Sequence, residues 1–588
     1  MMGLRTGILM VAMIAFAATS YGEYSLKIKR GKYPEDVKIE NINGNIPESA
    51  YYKNGWTEEG WSAGDYGKVT NIALSPSCVI EGVCENALTL PSMLIEDGEW
   101  LSWDGCEIYP VFNERYTVEF RANGKDVWEK LGEYTETKST WTTHMIDLSP
   151  YAGMDGQVRF VCRSEKGYML GLNNIAIKRP TEHTFYSINT TPKFFSKGEL
   201  NDGNVLAEIN IMNTGAALSS AVIGISIDGT RVSAIQEENY WPTGETRRVE
   251  IPLPLTPNEK AEYEVTIEPE GAEMQVINNS FAYCTSMKRY LYVDKGTGMW
   301  CNACPNGTLE IEKLEEAYGE ALIVGETHYG ETTSYVDLLA NNLNIEWLKF
   351  YSIPQLMLNH VASTKGEKTT KFEDQICLPT EMEIKITDMS VNKDGSLCAK
   401  AEVGTSESFA DSDRRYTIGY ILTRNVTGNE NAQYYQNNIC TTALQMQYRY
   451  LPSRMLYPIC FFPNVTIPSQ LATGSENPAF TGIEGSLPAS LEAGMTYTCS
   501  LEIPCPEGFD NFDGMRLVAY IIDAGKKTII NSTASYIDDS TGVEEIADSY
   551  IGSKTEKIFT IDGRQVGLER ESLLPGLYII EGKKILIK

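Results

Sequence analysis

Residues 290–305 read Tyr290-Leu291-Tyr292-Val293-Asp294-Lys295-Gly296-Thr297-Gly298-Met299-Trp300-Cys301-Asn302-Ala303-Cys304-Pro305. The first four form an apolar run that ends in Asp294, Gly296 and Gly298, the pattern of a short buried strand closed by turn residues. The period then changes. Cys304, Thr308, Ile311, Leu314 and Tyr318 recur at steps of three and four, Glu312, Glu315 and Glu316 fall on the other faces, and Gly319 is a natural stop. The two cysteines therefore stand at the mouth of a helix. A thiol placed there faces unpaired backbone N–H groups and the positive end of the helix dipole, which stabilises its thiolate and lowers its pKa below about 8.5.

The alternation of strand and helix continues. Ala321-Leu322-Ile323-Val324 is a second short buried strand. A second helix is expected with Val336, Leu339, Ala340 and Leu343 inward, before Ser352-Ile353-Pro354-Gln355 leads into Leu356-Met357-Leu358. A strand, a Trp-Cys-x-x-Cys element opening a helix, a strand, a helix and an Ile-Pro step resemble the thioredoxin fold. Thr297-Gly298-Met299-Trp300-Cys301 through Cys304-Pro305, then Leu314, Tyr318-Gly319 and His328-Tyr329-Gly330, is more closely similar to the thioredoxin-like core of one family. That family is the Bacteroidetes outer-membrane proteins related to the 28-kilodalton antigen, and the resemblance covers Lys288 to His360.

The resemblance implies roles for the site residues. Cys301 would be the nucleophile and Cys304 the resolving thiol, so that attack on a substrate disulfide gives a mixed disulfide that Cys304 then opens. Trp300 would shield the pair. Pro354, as a cis-proline, would present the backbone of Ile353 to an extended substrate. One position departs from the pattern: six residues before the first cysteine, where thioredoxins carry a carboxylate, stands Lys295. Asp294 is one residue earlier, and in a strand that shift turns its side chain to the opposite face.

Other readings of the pair stay open. It is equally readable as a structural disulfide. A metal site would need a second pair or well-spaced histidines, and His328 and His360 are the two candidates, so neither a metal nor a cofactor is expected. Pro354 also reads as an ordinary trans proline.

The whole chain sets the context. At roughly 100–200 residues per domain, 588 residues imply several units. The net charge of −29, with no basic run to compensate, repels phosphate backbones and argues against nucleic acid as a partner. With 33 Tyr, 49 Gly, 25 Pro and many alternating segments, the chain is expected to be multidomain and mainly β. The expected units are β-sandwich or jelly-roll and immunoglobulin-like domains around one α/β thioredoxin-like domain.

Residues 1–20 read as a Sec signal peptide: Arg5 precedes an apolar run from Ile8 to Ala18, followed by the small residues Thr19 and Ser20. The run is too short for the ~20 residues of a spanning helix. Export makes the 13 cysteines candidates for disulfides, with at least one left over. Cys78 with Cys84, Cys499 with Cys505 and Cys440 with Cys460 bracket short loops.

Residues 21–180 alternate, as in Tyr116, Val118 and Phe120, or Val158 and Phe160. The stretch from Trp141 through Asp147-Leu148-Ser149 and Tyr151-Ala152-Gly153 to Leu172-Asn173-Asn174-Ile175-Ala176-Ile177 resembles jelly-roll modules of cleaved-adhesin type. Asn173 and Asn174 stand where that family often carries Asp. Some such modules bind glycans and others are structural. Residues 181–286, with Ile223, Ile225 and Ile227 before the hairpin step Asp228-Gly229, read as an immunoglobulin-like spacer.

Residues 287–379 are the thioredoxin-like segment, and 380–540 return to alternation as a further sandwich, with an aromatic stretch from Tyr448 to Pro463. Residues 541–588 carry Asp562-Gly563-Arg564, Pro575-Gly576-Leu577-Tyr578 and Gly582-Lys583-Lys584, which together resemble the C-terminal sorting domain of the type IX secretion system. That resemblance implies the secretion machinery as a partner and a secreted or outer-membrane surface location.

Two functions follow. One is an extracytoplasmic thiol-disulfide oxidoreductase acting on protein disulfides or thiols through Cys301 and Cys304. The other is a surface adhesin or receptor, with the thioredoxin-like fold as scaffold and a host or surface ligand bound by the N-terminal jelly roll.

Overall fold

The computed structural model describes residues 23–42, 60–66, 69–75, 83–108, 114–136, 140–165, 169–188, 192–330, 337–341, 348, 352–360, 369–410, 415–427, 434–437, 454–455, 461–468, 478–537, 558–560, 565–567, 576–580 and 583–587. The signal segment, the Asp538–Gly542 linker, most of the Tyr448–Pro463 stretch, the Asp562-Gly563-Arg564 turn, and Cys78, Cys440 and Cys460 lie outside them. The protein is mainly β and built from several sheets. Among the described residues no helix is long and apolar enough to cross a membrane.

The first unit is a pair of facing sheets. One runs Thr142–Asp147, Trp100–Glu107, Leu170–Lys178, Val69–Leu74, Ser62–Tyr66; the other runs Lys38–Asn41, Val83–Thr89, Asp155–Glu165, Arg115–Ala122, Glu129–Thr135. Period-2 patterning explains the packing: along Trp100–Glu107, Leu101 and Trp103 are buried while Trp100, Ser102 and Asp104 face outward. Trp61, Trp103, Tyr116, Phe120 and Phe160 fill the space between the sheets.

The second unit sets a three-stranded sheet, Phe185–Ile188, Asn204–Asn213 and Thr246–Pro254, against a five-stranded one. Ile211, Ile223, Trp241 and Ile251 lie in its core. Its Asp228-Gly229 hairpin has both residues at positive φ, 50° and 71°, as a type I′ turn requires.

A seven-stranded sheet organises the rest, in the order Gln355–Leu358, Leu291–Thr297, Leu322–His328, Phe461–Ile467, Tyr416–Thr427, Met515–Asp523, Thr528–Tyr536. Leu291–Thr297 pairs in parallel with Leu322–His328 and antiparallel with Gln355–Leu358. Leu322–His328 meets Phe461–Ile467, again in parallel, at Glu326 and Val465. Strands from both sides of residue 379 therefore share one sheet, and the expected boundary there is no break in hydrogen bonding. Alternation reveals which face of a strand is buried, not which strand lies beside it. A three-stranded sheet, Met382–Val391, Leu397–Thr405 and Thr496–Ile503, covers one end of this sheet through Ile384, Ala401 and Leu501 against Ile418, Leu422 and Leu517.

The expected second helix does not include Leu339 and Ala340, although Leu348 further on is helical. Leu339 stands in a turn and Ala340 bridges to His328, because Asp337 accepts a hydrogen bond from the Leu339 N–H (2.9 Å) and closes the chain into a local turn. Val336 and Leu343 lie outside the described residues. The last strands, Gln565–Gly567, Ile558–Thr560, Gly576–Ile580 and Lys583–Ile587, form a four-stranded antiparallel sheet.

Candidate functional site

Cys301 and Cys304 lie at the C-terminal end of the Leu291–Thr297 strand, where the chain turns into the Pro305–Tyr318 helix. Cys304 is the N-cap residue, with Pro305 pre-set for the first turn and Gly319 ending the helix at a φ of 53°. The two cysteines form a disulfide with Cα atoms 5.4 Å apart. Both are enclosed: Cys301 is 5% exposed and Cys304 1%.

The remaining residues singled out from the sequence converge here. The Ile353–Pro354 peptide bond is cis, and Cys301 Sγ lies 3.9 Å from the Ile353 carbonyl oxygen. The helix approaches closely enough that a Cβ at Gly307 would stand 2.8 Å from Pro354 Cβ, so only glycine fits. Trp300 donates from Nε1 to the Tyr329 carbonyl (3.0 Å), and its ring abuts Gly298, which fixes the indole beside the pair.

The loop is pinned from within by Asp337. Its Oδ2 accepts from the Met299 N–H (2.7 Å) and stands 3.0 Å from His328 Nδ1, both side chains being fully buried. From outside, the short strand Gln436–Asn437 straps the same loop. Gln436 Nε2 donates to the carbonyls of Cys301 (2.9 Å) and Gly298 (3.4 Å). Asn437 donates from its backbone N–H to Met299 O (2.8 Å) and from Nδ2 to Trp300 O (3.0 Å). No local pattern around Gln436 signals this contact, which joins positions about 135 residues apart.

Behind the helix, Lys295 meets Glu326. The two are register partners on adjacent parallel strands, and Lys295 Nζ lies 2.7 Å from Glu326 Oε1 and 2.7 Å from Thr308 Oγ1. The position that departs from the thioredoxin pattern thus supplies the cation, and the neighbouring strand supplies the carboxylate. The sequence points to Lys295 only as a departure from the resemblance, and no local pattern singles out Glu326 as its partner.

Asp294 points to the other face of the sheet, 3.3 Å from His360 Nε2 and beside Tyr292. Burial pushes the Asp294 carboxyl well above its ordinary range and lowers His360 to about 3, so the imidazole is neutral near pH 7. Cys499 and Cys505 do not bridge: their sulfurs face the carbonyls of Ser500 (3.6 Å) and Phe509 (3.4 Å).

Comparison with known proteins gives structural likenesses alone. No protein-family model matches the chain, and no curated protein matches it. Among solved structures, HBP35 of Porphyromonas gingivalis is similar at 17% identity and a TM-score of 0.30, over 52% of this chain and 100% of that one. The K3 cleaved adhesin domain of Lys-gingipain from the same organism is similar at 15% identity and a TM-score of 0.21, over 26% and 98%. The K1 cleaved adhesin domain is similar at 20% identity and a TM-score of 0.21, over 26% and 97%.

Proposed function

We propose that this chain is an exported cell-surface protein that works by binding, with recognition in its N-terminal jelly-roll-like sandwich and with the thioredoxin-like strand–helix–strand unit as a scaffold. One observation carries the scaffold role. Thiol-disulfide exchange needs a sulfur open to attack and a backbone rim where an extended substrate can pair. Here the sulfurs are enclosed, and the carbonyls of Gly298, Met299, Trp300 and Cys301 are already bonded to Gln436 and Asn437.

In this reading residues 21–180 bind a host or surface ligand, 181–286 form an immunoglobulin-like spacer, and 287–379 with 380–540 form the scaffold. Residues 541–588 address the chain to the secretion machinery, giving a secreted or outer-membrane surface location. The test is an insulin-reduction assay run beside a ligand array on wild type and Cys301→Ser. Absence of reductase activity, with array binding equal in both proteins, is expected. Insulin reduction by the wild type that Cys301→Ser abolishes overturns the reading.

A second reading is favoured by the position of Cys301 Sγ against the Ile353 carbonyl. In it, Cys301 attacks a protein disulfide, Cys304 resolves the mixed disulfide, Trp300 shields the pair and Pro354 shapes the groove. Titration in glutathione buffers decides it: a potential of roughly −270 to −120 mV marks an exchanger, and one below about −300 mV a structural bridge.

A further inference from the structure

The outer face of the first sandwich forms a cleft where it meets the second unit. Trp100, Ser102 and Asp104 make its central row, with Thr143 paired to Asp104 and Met145 to Ser102 on one side. On the other side Ala176 pairs with Ser102 and Lys178 with Trp100. Phe185 and Tyr186, from the first strand of the second unit, stand over this row and enclose about 310 Å³. That is at the small end of the ~300–1,000 Å³ typical of small-molecule sites.

The polar groups in the cleft are held in place. Asp104 Oδ1 accepts from Thr143 Oγ1 (2.7 Å) and Oδ2 from Asn174 Nδ2 (2.6 Å), and each oxygen keeps a lone pair for a further donor. Asn174 sits at a φ of 50° in an irregularity between Asn173 and Ala176, which aims its side chain at Asp104. Tyr186 donates its hydroxyl to the Trp141 carbonyl (3.0 Å), and Trp100 is wedged so tightly by Gly244 that a Cβ there would meet the ring at 2.7 Å. Lys178 has no carboxylate partner among the described residues.

We propose that this junctional cleft binds the end of a neutral glycan. A pyranose ring has apolar C–H faces for Trp100 and Tyr186 and hydroxyls that donate to Asp104 and accept from Lys178. An anionic ligand would meet the Asp104 carboxylate and a chain of net charge −29, and a cationic one would meet Lys178. The rings and the carboxylate are oriented before binding, so little ordering cost falls on the complex. The inference rests on the reading of the first sandwich as the binding unit.

The test is calorimetric titration of the full chain with cellobiose, maltose, lactose and N-acetyllactosamine, alongside fibronectin and fibrinogen as protein probes. Saturable binding of at least one sugar is expected, weakened at least ~10-fold by Asp104→Ala and by the rim variant Lys178→Ala, which leaves the core untouched. Sugar binding that neither variant weakens overturns the site, as does the absence of sugar binding. If a protein probe binds and no sugar does, the glycan cleft falls while the binding function stands; if nothing binds, both fall.

Discussion

Lys295 Nζ and Glu326 Oε1 lie 2.7 Å apart with side chains 2% and 1% exposed, so an ion pair is sealed between the central sheet and the helix that carries Cys304. Removing one partner strands a buried charge, whereas removing both replaces a desolvated pair by apolar volume. Lys295→Met alone and Glu326→Gln alone are each expected to lower stability by about 3–5 kcal/mol, and Lys295→Met with Glu326→Leu to recover most of the loss. Calorimetric scanning of the chain, following the transition that contains this sheet, gives the comparison. A double variant as unstable as the singles sinks the account.

The pair also marks how far the sequence could be read. The Leu291–Thr297 strand, the Pro305–Tyr318 helix and its Gly319 stop all follow from local periodicity and capping, and the mainly β class follows from alternation. Trp300, Cys301 and Cys304 stand out because they lie within one short segment, whereas Pro354 comes in only through the resemblance in the order of elements. Pairing across the sheet was not legible. Nothing local to Phe461–Ile467 says that it lies beside Leu322–His328, and nothing local to Gln436 says that it covers Cys301. Those contacts are decided by which surfaces remain to be buried after the chain has collapsed.

The strap is open to a kinetic test. Gln436→Ala removes the donors to Gly298 O and Cys301 O, a loss of about 1 kcal/mol or more per bond. Reduction of the Cys301–Cys304 disulfide by dithiothreitol, followed by thiol trapping, is expected to run about 10-fold faster or more in the variant. Equal rates would mean that the strap does not control access to the sulfurs.

Glu114 gives the first sandwich a pH dependence. It is fully buried, Ser164 Oγ donates to its Oε1 (2.7 Å), and burial raises its carboxyl from the ordinary 4.5 to about 8. Above pH 4.5 the unfolded chain releases this proton while the folded chain keeps it. Stability from this group is therefore complete below about 4.5 and declines as pH rises toward 8, by up to roughly 1.4 kcal/mol per unit. Glu114→Gln keeps the neutral hydrogen-bonding form and is expected to flatten that slope in denaturant midpoints measured between pH 5 and 8. A slope that survives the substitution belongs to another group.

Asn531 joins the two halves of the scaffold. It is fully buried, its Nδ2 donates to the carbonyls of Lys288 (2.7 Å) and Met382 (2.8 Å), and its Oδ1 accepts from the Tyr290 N–H (2.9 Å). One amide thus holds the entry to the Leu291–Thr297 strand and the start of the Met382–Val391 strand. Asn531→Leu leaves those three backbone groups unsatisfied at roughly 1–3 kcal/mol each. In hydrogen exchange of the wild type, peptides covering 291–297 and 382–391 are expected to open together. In Asn531→Leu the 382–391 peptide should exchange earlier than 291–297, because its strand lies at the edge of the separate three-stranded sheet while 291–297 keeps a paired strand on either side in the large one. If the two peptides still open together in the variant, their coupling runs through the Thr528–Tyr536 strand that both approach, and the amide is only a local tie.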